Sequence, residues 1–416
     1  MTTAETDPSV TLDPFEEGYT EWPYDQYARL RASDPVHKSE LLQGWVLTRY
    51  EDVDRVLKDP SMSSDIDQAT PTSNTEMEIK RRSEIEQGDA DPLPLLDEPD
   101  HTRVRRLIAP TFRKGSVKNL HETIERHVGV LLDGIVERHG STGEFDLVSE
   151  FAYPMPVNVI CELMGVPEED GPEFRHWVQL VALGLDPFIS PADRELSLAA
   201  GEEMRGYLRQ QVAAKRATPT DDLTSELAAA SEDGEQLSAD ELILQLQTLY
   251  IAGHEPVTAV LGNGFRGLLQ QTDQLQKLHD DPSLLEHAVL ELLRYDGPNQ
   301  FVRRIATQDL HFDGGTIPGG SVIYPGIAAA NHDPAEFGDD ADEIRVDRPS
   351  AAHHLQLGAG IHACLGTHLA KLESEIAVRR LLERFPHLEL VAPPTWAKRM
   401  VLRSVNELQL RYDTRS

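Results

Sequence analysis

The chain has few cysteines and no long apolar run, and each of these absences excludes a class of protein. Two cysteines among 416 residues exclude a disulfide framework. No apolar run approaches the length of a membrane span. The polar, acidic stretch 1–20 lacks the basic and apolar regions of a signal peptide. We therefore expect a cytoplasmic protein that does not enter a membrane.

Basic side chains are also scarce, since 39 Lys and Arg residues stand against 71 Asp and Glu residues, a net charge of −32. Nucleic-acid phosphates are bound by a basic face, so the charge argues against a nucleic-acid partner. The simplest consequence of the charge is solubility.

One of the two cysteines lies in the glycine-rich stretch 357–366, LGAGIHACLG. Gly358 and Gly360 permit a tight loop that a Cβ atom would obstruct. An apolar pattern with helical spacing follows, at Leu365, Leu369, Leu372 and Ile376. Cys364 is therefore predicted at a helix N-terminus, where free N–H groups and the dipole stabilise a thiolate. Such a thiolate is a good ligand for haem iron, and Gly366 leaves room for a flat macrocycle.

Three other interpretations of Cys364 remain open from the residues alone. A lone cysteine often serves as a small hydrophobic side chain. A thiol nucleophile is another possibility, and it needs an adjacent base. Zinc is the third, because four histidines lie nearby, but zinc sites favour paired ligands at short fixed spacings. These histidines are His353, His354, His362 and His368.

The stretch 357–366 resembles the cysteine-ligand loop of the cytochrome P450 family, Phe-Gly-x-Gly-x-(His/Arg)-x-Cys-x-Gly. Every fixed position matches except the first, where this chain has Leu357. The resemblance extends from about Trp45 to near the C-terminus and points to the bacterial soluble members. It implies a fold that is mainly α with a small β region, as one large domain over residues 1–416. It also implies haem b (iron protoporphyrin IX), with Cys364 as the iron ligand and Gly358, His362 and Gly366 beside the cofactor.

Two stretches are predicted to be irregular. Residues 1–20 are interpreted as a flexible N-terminal segment. Residues 66–94 are polar and charged, and in the family this position holds the long loop over the distal haem face. We therefore expect a mobile lid there.

His101 and Arg105 are four residues apart on a predicted helix, so they share one face and can hold a carboxylate. A solvated basic helix face is the plainer interpretation. The family uses this His-x-x-x-Arg pair for the haem propionates. By the same resemblance, Arg304 and His362 are expected to bind propionates.

Residues 252–258, AGHEPVT, match the family's central helix over the haem, (Ala/Gly)-Gly-x-(Asp/Glu)-Thr-(Thr/Ser). Ala252, Gly253 and Glu255 fit the pattern, but Pro256 occupies the usual Thr position. Proline removes one N–H and clashes with the carbonyl of Ala252, so a kink is expected. These four residues are the catalytic candidates, and the missing Thr hydroxyl normally assists proton delivery to oxygen.

Glu291 and Arg294 are three residues apart and match the family's structural Glu-x-x-Arg pair, which braces the ligand loop. By position in the family, four residues are candidates for substrate contact: Phe301, Val302, Met400 and Val401.

The resemblance implies reductive activation of dioxygen and oxidation of a specific small, medium-sized or peptide-like organic molecule, and we place it in secondary-metabolite biosynthesis. Electrons would come from a ferredoxin and its NAD(P)H-dependent ferredoxin reductase. The ferredoxin would dock on a basic patch formed by Arg103, Arg106, Arg113, Lys114 and Lys371. One alternative is oxidative C–C, C–N or C–O coupling of an aromatic or peptide-like substrate. Another is a non-catalytic haem-binding protein.

Overall fold

The computed structural model describes residues 10–83, 90–231 and 234–415. Helices dominate and the β region is small, which confirms the predicted fold class. The α-helices in chain order are α1 (Tyr24–Ser33), α2 (Tyr50–Lys58), α3 (Ser73–Ser83), α4 (Asp100–Ile108), α5 (Lys114–Lys118), α6 (His121–His139), α7 (Pro154–Leu163), α8 (Gly171–Leu183), α9 (Pro191–Ala217), α10 (Leu223–Ala229), α11 (Ala239–Gln270), α12 (Thr272–Asp280), α13 (Leu285–Asp296), α14 (Ile327–Asn331), α15 (Pro334–Phe337) and α16 (Thr367–Arg384).

The strands form small, separate sheets at the edges of the helical body. They are β1 (Val36–Ser39), β2 (Gly44–Leu47), β3 (Thr142–Asp146), β4 (Arg304–Ile305), β5 (Leu310–Phe312), β6 (Gly315–Ile317), β7 (Val322–Pro325), β8 (His387–Leu390), β9 (Thr395–Trp396), β10 (Val405–Glu407) and β11 (Gln409–Asp413). The largest sheet has the order β1-β2-β7-β4, and only its β2–β7 pair is parallel. The order of the second is β3-β11-β8, and two-stranded sheets pair β5 with β6 and β9 with β10.

Helix α11 runs through the main hydrophobic core for 32 residues. It starts with a capping box, in which the Ser238 hydroxyl accepts from the Glu241 N–H at 3.1 Å and the Glu241 carboxylate accepts from the Ser238 N–H at 2.7 Å. The helix continues through Pro256 without a break in its assignment. Residues 257–269 are all buried, whereas Ala252 is exposed and borders an internal cavity. The middle of α11 therefore faces a cavity.

The stretch 66–94 differs from the predicted loop, because it contains α3. That helix buries only Thr75, so its stability does not come from an apolar face. Ion pairs hold it in place: Arg82 contacts Asp65 at 3.2 Å and also Asp91, and Arg303 contacts Glu78. Residues 84–89 of the stretch lie outside the described residues.

The predicted flexible segment 1–20 also needs correction over residues 10–20. Leu12 and Tyr19 are buried, and the Tyr19 hydroxyl lies 2.8 Å from the hydroxyl of Tyr27 in α1. This part of the chain packs into a hydrophobic cluster with α1. Residues 1–9 lie outside the described residues.

Asp296, fully buried at the end of α13, joins the two ends of the chain. Its carboxylate accepts from the Tyr24 hydroxyl at 2.8 Å, from Arg266 at 2.9 Å and from Arg403 at 2.7 Å. Arg403 also donates to the Glu21 carbonyl at 2.7 Å. We call these five residues the Asp296 cluster. The two cations hold the pKa of Asp296 below its ordinary value although burial raises it.

Within residues 10–83, 90–231 and 234–415, no helix combines the length and apolar character needed to cross a bilayer. In the same ranges no three His, Cys, Asp or Glu side chains converge as a metal site, so the zinc interpretation of Cys364 has no ligand set there.

Candidate active site

The loop before Cys364 adopts the tight conformation that its glycines predict. Gly358 and Gly360 both have φ of +69°, a region that favours glycine. A Cβ at Gly360 would lie 2.4 Å from the carbonyl oxygen of Leu57, so the loop also needs glycine for this close approach. The Cys364 N–H donates to the Leu357 carbonyl at 2.8 Å, which closes the loop.

The Cys364 thiol lies beside the start of α16, as predicted, with Gly366 as the N-cap residue. Burial raises the pKa of the thiol, while the Gly366 N–H, the Thr367 hydroxyl and the charge of Arg105 lower it. Burial outweighs these groups, so the pKa of the thiol lies above its ordinary value, although Cys364 is exposed where it lines the cavity. A bound metal cation would supply the missing stabilisation, because coordination deprotonates a thiol.

Cys364 lines a mostly apolar cavity of about 300 Å³ between α11 and α16. Opposite it, α11 presents Ala252, Gly253 and Pro256. A Cβ built on Gly366 would lie 3.8 Å from the Cys364 sulfur, so this position is not crowded. The lining is suited to a flat apolar group held between the two helices.

Three of the four side chains expected to bind propionates, those of His101, Arg105 and His362, line this cavity. The rings of His101 and His362 are 4.4 Å apart between centroids. Arg105 donates to the Ala363 carbonyl at 2.6 Å, and Arg304 donates to the Arg303 carbonyl at 2.7 Å. Arg304 is not among the lining residues, but it is close enough that its charge lowers the pKa of His101 and of His362.

The electrostatics of this group favour an anion. Burial and the neighbouring arginines lower the pKa of His101, and burial, Arg304 and His101 lower that of His362 to about 3. Burial lowers the pKa of Arg304 to about 10. Both ring nitrogens of His101 are buried without a hydrogen-bond partner, and the nearest carboxylate, that of Glu98, is 3.6 Å away. Because buried polar atoms need partners, the group fits the carboxylates of haem propionates.

Only three of the four catalytic candidates of α11 lie at the cavity. Ala252, Gly253 and Pro256 line the cavity, whereas Glu255 is not among its lining residues. The Glu255 carboxylate accepts from Arg399 at 2.8 Å and lies 3.3 Å from His254. Burial raises its pKa, but these two partners outweigh burial and hold the pKa below its ordinary value. Glu255 is therefore an ion-pair partner here and not a free carboxylate over the cavity.

The predicted Glu291–Arg294 pair is completely buried, with two hydrogen bonds of 2.7 and 2.8 Å. Arg348, in the segment before the ligand loop, donates to the same carboxylate at 3.0 Å. One carboxylate thus anchors α13 to the chain that leads to Cys364. The signal for Arg348 was its isolated Asp-Arg-Pro context, which does not reveal a partner 57 residues away.

The substrate-contact candidates lie farther out than predicted. Phe301 and Met400 are buried in the hydrophobic cluster around α1, and Val302 packs beside the β1–β2–β7 sheet. Val401 accepts from the Gln300 N–H at 3.0 Å. None of the four lines the cavity beside Cys364, whereas the preceding residues Pro298 and Asn299 do.

Two cavity residues escaped the sequence analysis. Gln245 on α11 accepts from the Leu93 N–H at 2.9 Å and donates to the Asp91 carbonyl at 2.8 Å, so it ties the segment before α4 to α11. Glu373 on α16 is buried, and both of its carboxylate oxygens lack a partner. Burial raises the pKa of Glu373 well above its usual range, so the group is neutral. Its only sequence signal is a glutamate on the apolar face of α16.

Residues 45–411 match the family model described as Cytochrome P450. The chain belongs to the cytochrome P450 family. It is 36% identical over 420 residues to Cytochrome P450 107B1 of Saccharopolyspora erythraea, with 99% of both chains covered. It is 36% identical over 414 residues to the cytochrome P450 monooxygenase PikC of Streptomyces venezuelae, with 97% of this chain and 94% of PikC covered. The solved structure of PksS, the cytochrome P450 of the Bacillus subtilis 168 bacillaene polyketide synthase, aligns with a TM-score of 0.87 at 33% identity, over 97% of this chain and 100% of that one.

As a cytochrome P450, the chain is a monooxygenase with a haem-thiolate iron cofactor. The monooxygenase activity named for PikC supports catalysis over a non-catalytic haem-binding role. The oxidative-coupling alternative gains no support from these relatives.

Proposed function

We propose that residues 1–416 form one haem b domain that oxygenates a specific secondary metabolite. Cys364 supplies the axial sulfur, and four residues bind the propionates: His101, Arg105, Arg304 and His362. The observation that carries the proposal is the position of the Cys364 thiol, which lines an apolar cavity together with α11, Arg105 and the unpartnered ring nitrogens of His101. When bound, thiolate-ligated haem supplies the reductive activation of dioxygen.

The protein's own residues would hold and shield this chemistry. The Gly366 N–H and the Thr367 hydroxyl lower the pKa of the Cys364 thiol, and the Thr367 hydroxyl donates to the Cys364 carbonyl at 2.9 Å. On the opposite side, Val257 and Val260 give the cavity an apolar wall that excludes water. The cationic edge orients the cofactor, because its hydrogen-bond donors can pair with two carboxylates at once.

The cavity favours an apolar substrate of medium size. Its lining includes aliphatic side chains from three different segments: Leu93, Ile160 of α7, and Leu249 and Val260 of α11. The name of one relative, PksS, assigns that protein to a polyketide synthase. A polyketide-like or comparably apolar scaffold therefore fits this cavity better than a charged metabolite does.

An acidic ferredoxin, reduced by an NAD(P)H-dependent reductase, is the proposed electron donor. Arg106 and Arg113 line one surface groove of about 760 Å³ beside α4. Lys114 and Lys371 both act on the pKa of Glu375, which places them close together near the start of α16. Arg103 contributes less than the sequence predicts, because Glu241 and Asp100 already pair with it.

Replacing each cysteine in turn tests the haem ligand. Cys364→Ser is expected to lose the red-shifted carbon-monoxide band of the reduced, haem-loaded protein, because the band requires a sulfur ligand. Cys161→Ser is the matched control, since Cys161 is buried in α7 away from the cavity. Absorption spectra of the reduced carbon-monoxide complexes give the answer. An unchanged band in Cys364→Ser contradicts the assignment.

A further inference from the structure

Pro256 changes the hydrogen bonding of α11 where the helix borders the cavity. In an α-helix the carbonyl of residue 252 accepts from the N–H of residue 256, and proline has no N–H to donate. Ala252 and Pro256 both line the cavity, and four residues apart they share one helix face. Helical carbonyls point along the axis toward the C-terminus, so the Ala252 carbonyl is directed toward Pro256, and both residues border the cavity.

The polar side chains on the same wall are already engaged. Gln245 uses its amide oxygen and nitrogen on the backbone at Leu93 and Asp91. The Thr248 hydroxyl donates to the Leu244 carbonyl at 2.8 Å. The neighbouring lining residues of α11 are apolar, among them Leu249, Val257 and Val260. In this part of the described chain, the Ala252 carbonyl is thus the acceptor that lacks its regular donor.

We propose that the Ala252 carbonyl is a specificity-determining acceptor that binds a hydrogen-bond donor of the substrate, an alcohol O–H or an amide N–H, above the haem site. A carbonyl only accepts, whereas the hydroxyl of a threonine both donates and accepts. The site therefore selects an alcohol over a ketone of the same shape. The inference rests on the proposed function, and it adds to that function the class of substrate group held at this point.

Binding of cyclododecanol and cyclododecanone to the haem-loaded protein tests the inference. The two rings have nearly the same size, but only the alcohol donates a hydrogen bond. We expect the wild type to bind the alcohol about fivefold more tightly, the effect of one neutral hydrogen bond. Pro256→Ala restores an N–H for the Ala252 carbonyl and should abolish the preference. Calorimetry and the haem absorption spectrum measure both affinities without turnover.

Val257→Ala is the matched control, because it enlarges the same wall and leaves the Ala252 carbonyl free of an N–H partner. It should keep the preference for the alcohol. Equal affinities in the wild type, or the same preference in Pro256→Ala, overturn the inference. A wild type without the red-shifted carbon-monoxide band instead overturns the proposed function.

A crystal structure of the wild type with cyclododecanol keeps the inference testable if Pro256→Ala does not load haem. The expected result is the alcohol oxygen within hydrogen-bond distance of the Ala252 oxygen. A water molecule that occupies this position while the alcohol lies elsewhere shows that the donor is solvent, and it overturns the proposal.

Discussion

The guanidinium of Arg294 is completely buried and makes hydrogen bonds to several partners. Besides Glu291, it donates to the carbonyls of Asn331, Ala341 and Glu343 at 2.7 to 2.9 Å. Arg294→Lys keeps the charge but loses the planar fork that reaches these partners. Because the Glu291 carboxylate then loses part of its compensation, the free energy of unfolding should fall by about 3–5 kcal/mol in urea denaturation.

Arg345→Lys is the control for this change. Arg345 pairs with Asp340 at 2.8 Å, but its side chain is 42% exposed, so the pair is worth about 1 kcal/mol or less. Similar losses of stability in both variants contradict the role given to the buried pair.

His354 predicts a dependence of stability on pH. Burial, with the charges of Lys371 and Arg294, lowers its pKa to about 3, against about 6.5 in the unfolded chain. Between these values the unfolded chain binds one more proton, so the free energy of unfolding falls as the pH decreases from about 6.5 toward 3. Per pH unit, the loss is about 1.4 kcal/mol.

His354→Gln removes this titration. Urea unfolding of the variant from pH 6 to pH 4 should give a slope shallower by about 1.4 kcal/mol per unit than that of the wild type. Parallel slopes for the two proteins would count against a buried, neutral His354.

At this scale the sequence predicts a residue's type of chemistry better than its partner. Cys364, His101 and Arg105 are recognisable because their neighbours in sequence define a loop or a helix face. Glu255 is not, because its ion pair depends on Arg399, 144 residues away. A local pattern placed its carboxylate over the cavity, and only the packing of the C-terminal chain shows otherwise.

Among the elements, α3 depends on ion pairs to an unusual degree. Arg82→Gln removes its contacts with Asp65 and Asp91, which are partly exposed and together worth about 1 kcal/mol. We expect hydrogen exchange across residues 73–83 to become about fivefold faster, while the global free energy of unfolding changes little. Site-resolved exchange measured by mass spectrometry tests this.

Lys80→Gln is the matched control, since Lys80 is exposed on the same helix. Equal acceleration of exchange in both variants would show that general loss of positive charge, and not the Arg82 contacts, controls α3.

The helices predicted most accurately have caps and apolar faces in their own sequence. The apolar spacing from Leu365 to Ile376 predicts α16 for that reason. The helix α3 was not predicted, because its polar composition has no helical apolar period and its stability comes from Asp91 and Arg303, which lie outside it. The segment 10–20 was missed likewise, since few apolar residues there, such as Leu12, mark it as buried.

Because the net charge of the whole molecule is −32, a local basic surface is the place where an acidic partner would dock. Arg113→Glu reverses charge in the groove beside α4 and should slow reduction by an acidic ferredoxin at low ionic strength, because long-range attraction controls association. Stopped-flow reduction across a salt series measures this, and the difference from wild type should shrink as salt rises.

Lys38→Glu serves as the control, because Lys38 is an exposed residue of β1 in the largest sheet. A reduction rate that does not respond to salt, or that falls equally in both variants, contradicts docking at the groove.

The Asp296 cluster has a consequence for synthesis on the ribosome. Arg403 follows Glu21 by 382 residues, so at roughly 5–20 residues per second the N-terminal segment waits about 20–80 s for its partner. During that interval the apolar side chains of Leu12 and Tyr19 have no completed C-terminal framework to pack beside. Leu12 and Tyr19 thus leave the ribosome long before they can reach all their native contacts, and nascent chains stalled before residue 403 should be the preferred clients of holding chaperones.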